Sequence, residues 1–89
     1  VIGDKAGAAA DGFAPKQTQG AGNVLIGCRA WENSDDGYDT FDSPEPVVME
    51  NCWAFNNGYL KVGDVVYSGN MDGFKLGGNN KVERNSVYN

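Results

Sequence analysis

"NVLIGCRAWENS" (residues 23–34) lies over "VVMENCWAFNNG" (47–58) at a constant offset of 24. Val24 meets Val48, Cys28 meets Cys52, Ala30 meets Ala54, Trp31 meets Phe55 and Asn33 meets Asn57. An offset held at five positions is the mark of a repeat architecture. A third copy is read in "KVERNSVYN" (81–89), aligned at an offset of 34 so that Val82 follows Val48, Asn85 follows Asn51 and Ser86 follows Cys52. The longer interval is assigned to a loop inserted at 59–70. A second series interleaves with the first: "DGF" at 11–13, "DGY" at 36–38 and "DGF" at 72–74.

The chain has 13 glycines and no stretch with a helical period. Short apolar runs at 23–27, 46–51, 64–69, 73–78 and 81–89 alternate with Gly, Asn, Asp and Pro clusters, which break strands. A repeat of about 24 residues made of short strands suits an all-β parallel β-helix, in which each coil stacks on the last at roughly 4.8 Å. About three coils are expected, forming a single domain over 1–89. The chain is expected to be a fragment of a longer helix, because three coils leave both ends with unpaired edges. Core ladders are expected at Val24/Val48/Val82, Cys28/Cys52/Ser86 and Phe13/Tyr38/Phe74, with an amide ladder at Asn51/Asn85. Trp31, Trp53 and Phe55 are expected to pack in the core or a loop rather than stack on sugars.

Charge narrows the function classes. Twelve acidic residues oppose seven basic ones, for a net charge of −5, and there is no histidine. This balance argues against nucleic acid and anionic membrane as partners, since both select basic patches. Any catalytic base must be a carboxylate, Lys, Tyr or Cys. The acidic residues are also crowded: "NSDDGYDTFDSPEP" (33–46) holds Asp35, Asp36, Asp39 and Asp42.

Aligning the Asp-Gly series sets Asp11 one coil from Asp36. Three residues on, Ala14, Asp39 and Lys75 become equivalent rungs. Alternation puts Phe74 and Leu76 inside and Lys75 outside. Asp11, Asp35, Asp36, Asp39 and Lys75 therefore converge on one outer patch. Carboxylates that close disfavour the fold unless a positive charge sits among them. A hard divalent cation fits, and Ca2+ is the usual choice for oxygen-only sites. The loop lacks the Gly and Glu spacing of an EF-hand.

"ADGFAPK" (10–16), "GCRAWENSDDGYD" (27–39), "ENCWAFNNG" (50–58) and "GFKLGGN" (73–79) closely resemble the catalytic coils of polysaccharide lyase family 9, from Ala10 to Asn89. The resemblance implies a right-handed parallel β-helix and a Ca-dependent pectate lyase acting by β-elimination. It implies Asp11, Asp35, Asp36 and Asp39 as ligands of Ca2+ and Lys75 as the base. The partner would be polygalacturonate or pectin, and the full-length protein a secreted, extracellular or periplasmic, monomer. Lys16 and Arg29 are candidates to hold uronate groups. The chain departs from the family pattern at Asp72, in the apolar insert 60–67 and at Cys52, none of which removes an implied catalytic group. The competing readings are a β-helix glycoside hydrolase and a non-catalytic, Ca-stabilised carbohydrate-binding or structural module.

Overall fold

The computed structural model describes residues 7–17, 20–77 and 86–88. Among these residues lie nine short strands: β1 Val24–Ile26, β2 Arg29–Trp31, β3 Tyr38–Asp39, β4 Val48–Glu50, β5 Trp53–Phe55, β6 Leu60–Val62, β7 Val65–Tyr67, β8 Phe74–Lys75 and β9 Ser86–Tyr88. Three parallel sheets run up the stack. They are β1-β4-β9, β2-β5 and β3-β8. β6 and β7 pair antiparallel as a hairpin within the expected insert.

The 24-residue offset is the strand register itself: Val24 faces Val48, and Ala30 faces Ala54. The corners repeat with it. Gly27 and Asn51 have positive φ, as do Glu32 and Asn56. One left-handed residue turns the chain between sheets, a conformation Gly adopts freely and Asn tolerates.

Two expected ladders are corrected. β4 pairs with β9 as Val48 to Ser86, so Ser86 does not continue from Cys52, and the offset of 34 is four residues short. Val82 and Asn85 lie outside the described residues. The first sheet also faces the other way. Val24 is 49 % exposed, whereas Met49 is fully buried and Leu25 packs against the same cluster. A slip of one in reading the alternation inverts a whole strand. Here the left-handed corner, not the first valine, sets the phase.

The Cys28/Cys52 rung does face the core, and both are free thiols. Asn51 is an exposed corner. The amide ladder instead joins Asn33 Nδ2 to Asn57 Oδ1 at 3.0 Å, and Asn57 Nδ2 donates to the Ala30 carbonyl at 3.0 Å. Trp31, Trp53 and Phe55 are exposed rather than packed in the core, with Trp31 stacked on Phe55 at 5.7 Å.

The aromatic ladder is as read. Tyr38 lies between Phe13 and Phe74, with ring centroids 5.2 and 4.6 Å apart and rings within 9° and 4° of parallel. It is fully buried, and its hydroxyl donates to the Trp53 carbonyl at 3.2 Å. The glycines of the Asp-Gly series make this approach possible. A Cβ at Gly37 would sit 2.7 Å from the Gly73 carbonyl oxygen and 2.8 Å from the Asn57 amide. Gly12 is confined in the same way by Gly37 and Asn33.

Met49→Ala should therefore cost about 2–5 kcal/mol, and Val24→Ala no more than about 0.5 kcal/mol. Urea melts of the whole protein measure both. Equal losses would return Val24 to the core.

Candidate functional site

Each site residue is set by the stack. Tyr38 faces Phe74 in the β3-β8 pair, so the next residues along, Asp39 and Lys75, face one another on neighbouring coils. Inward Tyr38 and Phe74 turn both of these side chains to the outer face. Leu76 departs from the alternation and is 46 % exposed. Asp11 and Asp36 precede the two confined glycines, and their carboxylates knit the coils together. Asp11 Oδ1 accepts the Asp36 N–H at 3.1 Å, and Asp36 Oδ1 accepts the Asp72 N–H at 3.2 Å.

The structure brings Asp11, Asp36 and Asp39 together, with one carboxylate oxygen from each lying within 4.8 Å of the others. Asp35 is buried beside them but stands outside this group. Its Oδ2 accepts the Ala9 N–H at 2.7 Å and its Oδ1 the Asn70 N–H at 2.6 Å. Lys75 Nζ lies 3.9 Å from Asp36 Oδ2, beyond a hydrogen bond, and 5.3 Å from the centre of the Phe41 ring. Lys16 sits among the carboxylates: its Nζ donates to Asp11 Oδ2 at 2.9 Å and to Asp39 Oδ2 at 3.0 Å. Burial pulls its ammonium down, but the two carboxylates outweigh that and hold its pKa above the ordinary lysine value. Arg29 is placed elsewhere, on β2. There its Nη1 donates to the carbonyls of Cys28 and Asn51 at 3.0 Å each, and its guanidinium lies over Trp53.

Phe41 and Thr40 escape a reading based on repeats, because neither recurs on another coil. Phe41 gives Lys75 an aromatic face. Thr40 Oγ1 accepts the Gly77 N–H at 2.9 Å, tying down the chain just past β8.

Asp36 decides whether the cluster suits a cation. It is fully buried, and its Oδ2 has no hydrogen-bond partner among the described residues. An ionised oxygen left this way is costly unless a charge meets it. Burial, followed by the repulsion of Asp35, lifts the Asp36 carboxyl to about 6, with Asp11 adding to the rise; the Asp72 N–H and Lys75 act in the opposite sense. Oxygen donors on two adjacent coils, one of them orphaned, match what a hard divalent cation requires.

A raised carboxyl pKa means that the folded protein holds this proton more tightly than the unfolded chain does. Without cation, the contribution of Asp36 to stability is therefore greatest below about pH 4 and is lost as pH rises through about 6. At neutral pH the cost is on the order of 3 kcal/mol. With a chelator present, Asp36→Asn should be the more stable protein at pH 7 and should match wild type near pH 4, as read by urea midpoints. A less stable variant at pH 7 would mean that Asp36 is already satisfied.

A family model described as the Pel9A-like, right handed beta helix region matches residues 2–89. Pectate lyase L of Dickeya dadantii (strain 3937) is 59 % identical over 83 residues, which cover 93 % of this chain and 20 % of that protein. A pectate disaccharide-lyase of Dickeya chrysanthemi is 39 % identical over 85 residues, covering 90 % of this chain and 10 % of that protein. The crystal structure of pectate lyase Pel9A matches with a TM-score of 0.86 at 59 % identity, over 93 % of this chain and 21 % of that one. The chain thus spans about a fifth or less of the length of these relatives. The ladder register, the Asp-Gly rungs and these matches agree: the chain belongs to the Pel9A-like right-handed β-helix family.

Proposed function

We propose that these coils carry the catalytic centre of a Ca-dependent pectate lyase, which cleaves α-1,4-linked polygalacturonate by β-elimination. The observation that carries the reading is the pairing of Asp39 with Lys75 on adjacent rungs, beside the orphaned Asp36 oxygen. It sets an amine, its side chain 30 % exposed, next to a nest of buried carboxylates. The lyase names of the relatives support the same chemistry.

Asp11, Asp36 and Asp39 would hold the Ca2+. Asp35 would complete the set, since each of its oxygens accepts one N–H and retains a second lone pair. Bound there, the cation supplies Lewis-acid stabilisation of the negative charge that builds on a uronate carboxylate. Lys75, in its neutral form, takes the proton from C5, which lies α to that carboxylate. The C5–H electron pair becomes the C4=C5 double bond. The C4–O4 bond breaks, and O4 leaves to become the new reducing end after taking up a proton. No water is consumed. Lys75 suits the role because its nearest acidic oxygen among the described residues is 3.9 Å away, so the amine is positioned without being tied up there in a strong ion pair. Lys16 and Arg29 would meet uronate groups; of the two, Lys16 is on the face of the site, while Arg29 lies on another sheet. A galacturonan substrate lies outside the cell, so the protein would be secreted, extracellular or periplasmic, and would act as a monomer with no nucleic-acid or membrane partner.

The test is ultraviolet absorbance of unsaturated uronate during digestion of polygalacturonate by the whole protein. Wild type with Ca2+ should generate it, and a chelator should abolish it. Lys75→Ala should lower kcat by about 10²–10⁴, with KM nearly unchanged. Reducing ends without absorbance would instead make the protein a hydrolase. Binding without cleavage would make the cluster a structural cation site.

A further inference from the structure

The cluster holds two lysines in different ways. Lys75 approaches one carboxylate at 3.9 Å. Lys16 bridges two at 2.9 and 3.0 Å, and both carboxylates are almost completely buried, at 1 % and 4 % side-chain exposure. The oxygens it uses are specific. Asp11 and Asp39 each commit Oδ1 to a backbone N–H, from Asp36 and from Phe41, and each gives Oδ2 to Lys16. Those two Oδ2 atoms are the oxygens of these residues that no backbone N–H is shown to engage, and so the ones most open to a metal.

We infer that Lys16 is a built-in counter-ion that neutralises Asp11 and Asp39 in the cation-free protein and must withdraw when a divalent cation binds. This rests on the cation site described above. An ammonium and a hard cation compete for the same two oxygens, and once both are near they repel. Withdrawal needs no backbone movement. The Lys16 side chain is 24 % exposed and has four rotatable methylenes, while the chain beside it is fastened where the Gln17 N–H donates to the Phe41 carbonyl at 2.9 Å. Lys16 therefore keeps the empty site folded at the expense of cation affinity, and the released ammonium stays on the outer face.

Calorimetric titration of the whole protein with Ca2+ alone, without polymer, tests this. Lys16→Met should bind Ca2+ roughly tenfold more tightly than wild type, as expected when a competing buried ion pair is removed. It should melt lower than wild type in chelator and at the same temperature when saturated. Unchanged or weaker affinity would overturn the inference while leaving the cation site intact. Failure of wild type to bind Ca2+ would instead remove the site itself. A second measurement uses wild type only, so it stands even where the variant does not fold. Amine acetylation followed by mass spectrometry should label Lys16 slowly in chelator and several-fold faster in Ca2+. Equal or slower labelling in Ca2+ would overturn the inference.

Discussion

The constraint on which everything else depends is the parallel ladder at roughly 4.8 Å. In a coil that repeats, each side chain sits over its equivalent on the next turn, so like must stack on like. Aromatic rings tolerate this, as Phe13, Tyr38 and Phe74 show. Amides gain from it, since Asn33 and Asn57 each supply both a donor and an acceptor. Carboxylates do not, and Asp11 over Asp36 over Asp72 would repel along the stack. The chain meets this by turning the Asp11 and Asp36 carboxylates onto a backbone N–H of the next coil, which offsets part of the charge and fixes the rung. The glycines that follow let that N–H come close enough.

The same arrangement concentrates unspent charge at one place. Asp35 spends both oxygens on N–H groups, whereas Asp11 and Asp39 spend one on the backbone and one on Lys16. Of the four, Asp36 is the one with an oxygen that accepts no hydrogen bond among the described residues, with Lys75 Nζ 3.9 Å away, and it is the most deeply buried. Folding energy elsewhere in the stack sustains that cost, which a cation bound as proposed would relieve. The outer row of the β3-β8 sheet then sets an amine beside the charge. Asp39 and Lys75 thus face one another through a single strand pairing, while Asp11 and Asp36 come from the Asp-Gly turns beside it.

What the sequence made legible follows the same logic. The offset between residues 23–34 and 47–58 is a backbone register, so the Cys28/Cys52 rung and the Ala30/Ala54 pair could be read directly. The Asp-Gly series is anchored by steric need at glycine, which is why Tyr38 over Phe74 and Asp39 beside Lys75 were also readable. The third copy was misplaced because the β6-β7 hairpin lengthens the interval to β9 by an amount that no residue marks. Val24 was misread because the single left-handed residue at each corner resets the alternation, and Leu76 falls just past a two-residue strand. The position of Lys16 among the carboxylates depends on a local turn at Ala14–Gln17, where only side-chain geometry distinguishes a counter-ion from a surface lysine.

The central claim is that Asp11, Asp36 and Asp39 crowd together because a divalent cation belongs among them. Crystals of the whole protein grown with Ca2+, with anomalous data collected to locate it, test that most directly. A single anomalous peak is expected, contacted by carboxylate oxygens of all three residues, including Asp36 Oδ2, with Lys16 moved away from Asp11 and Asp39. A cluster with no peak, and with Lys16 still bridging Asp11 and Asp39 at saturating Ca2+, would contradict it.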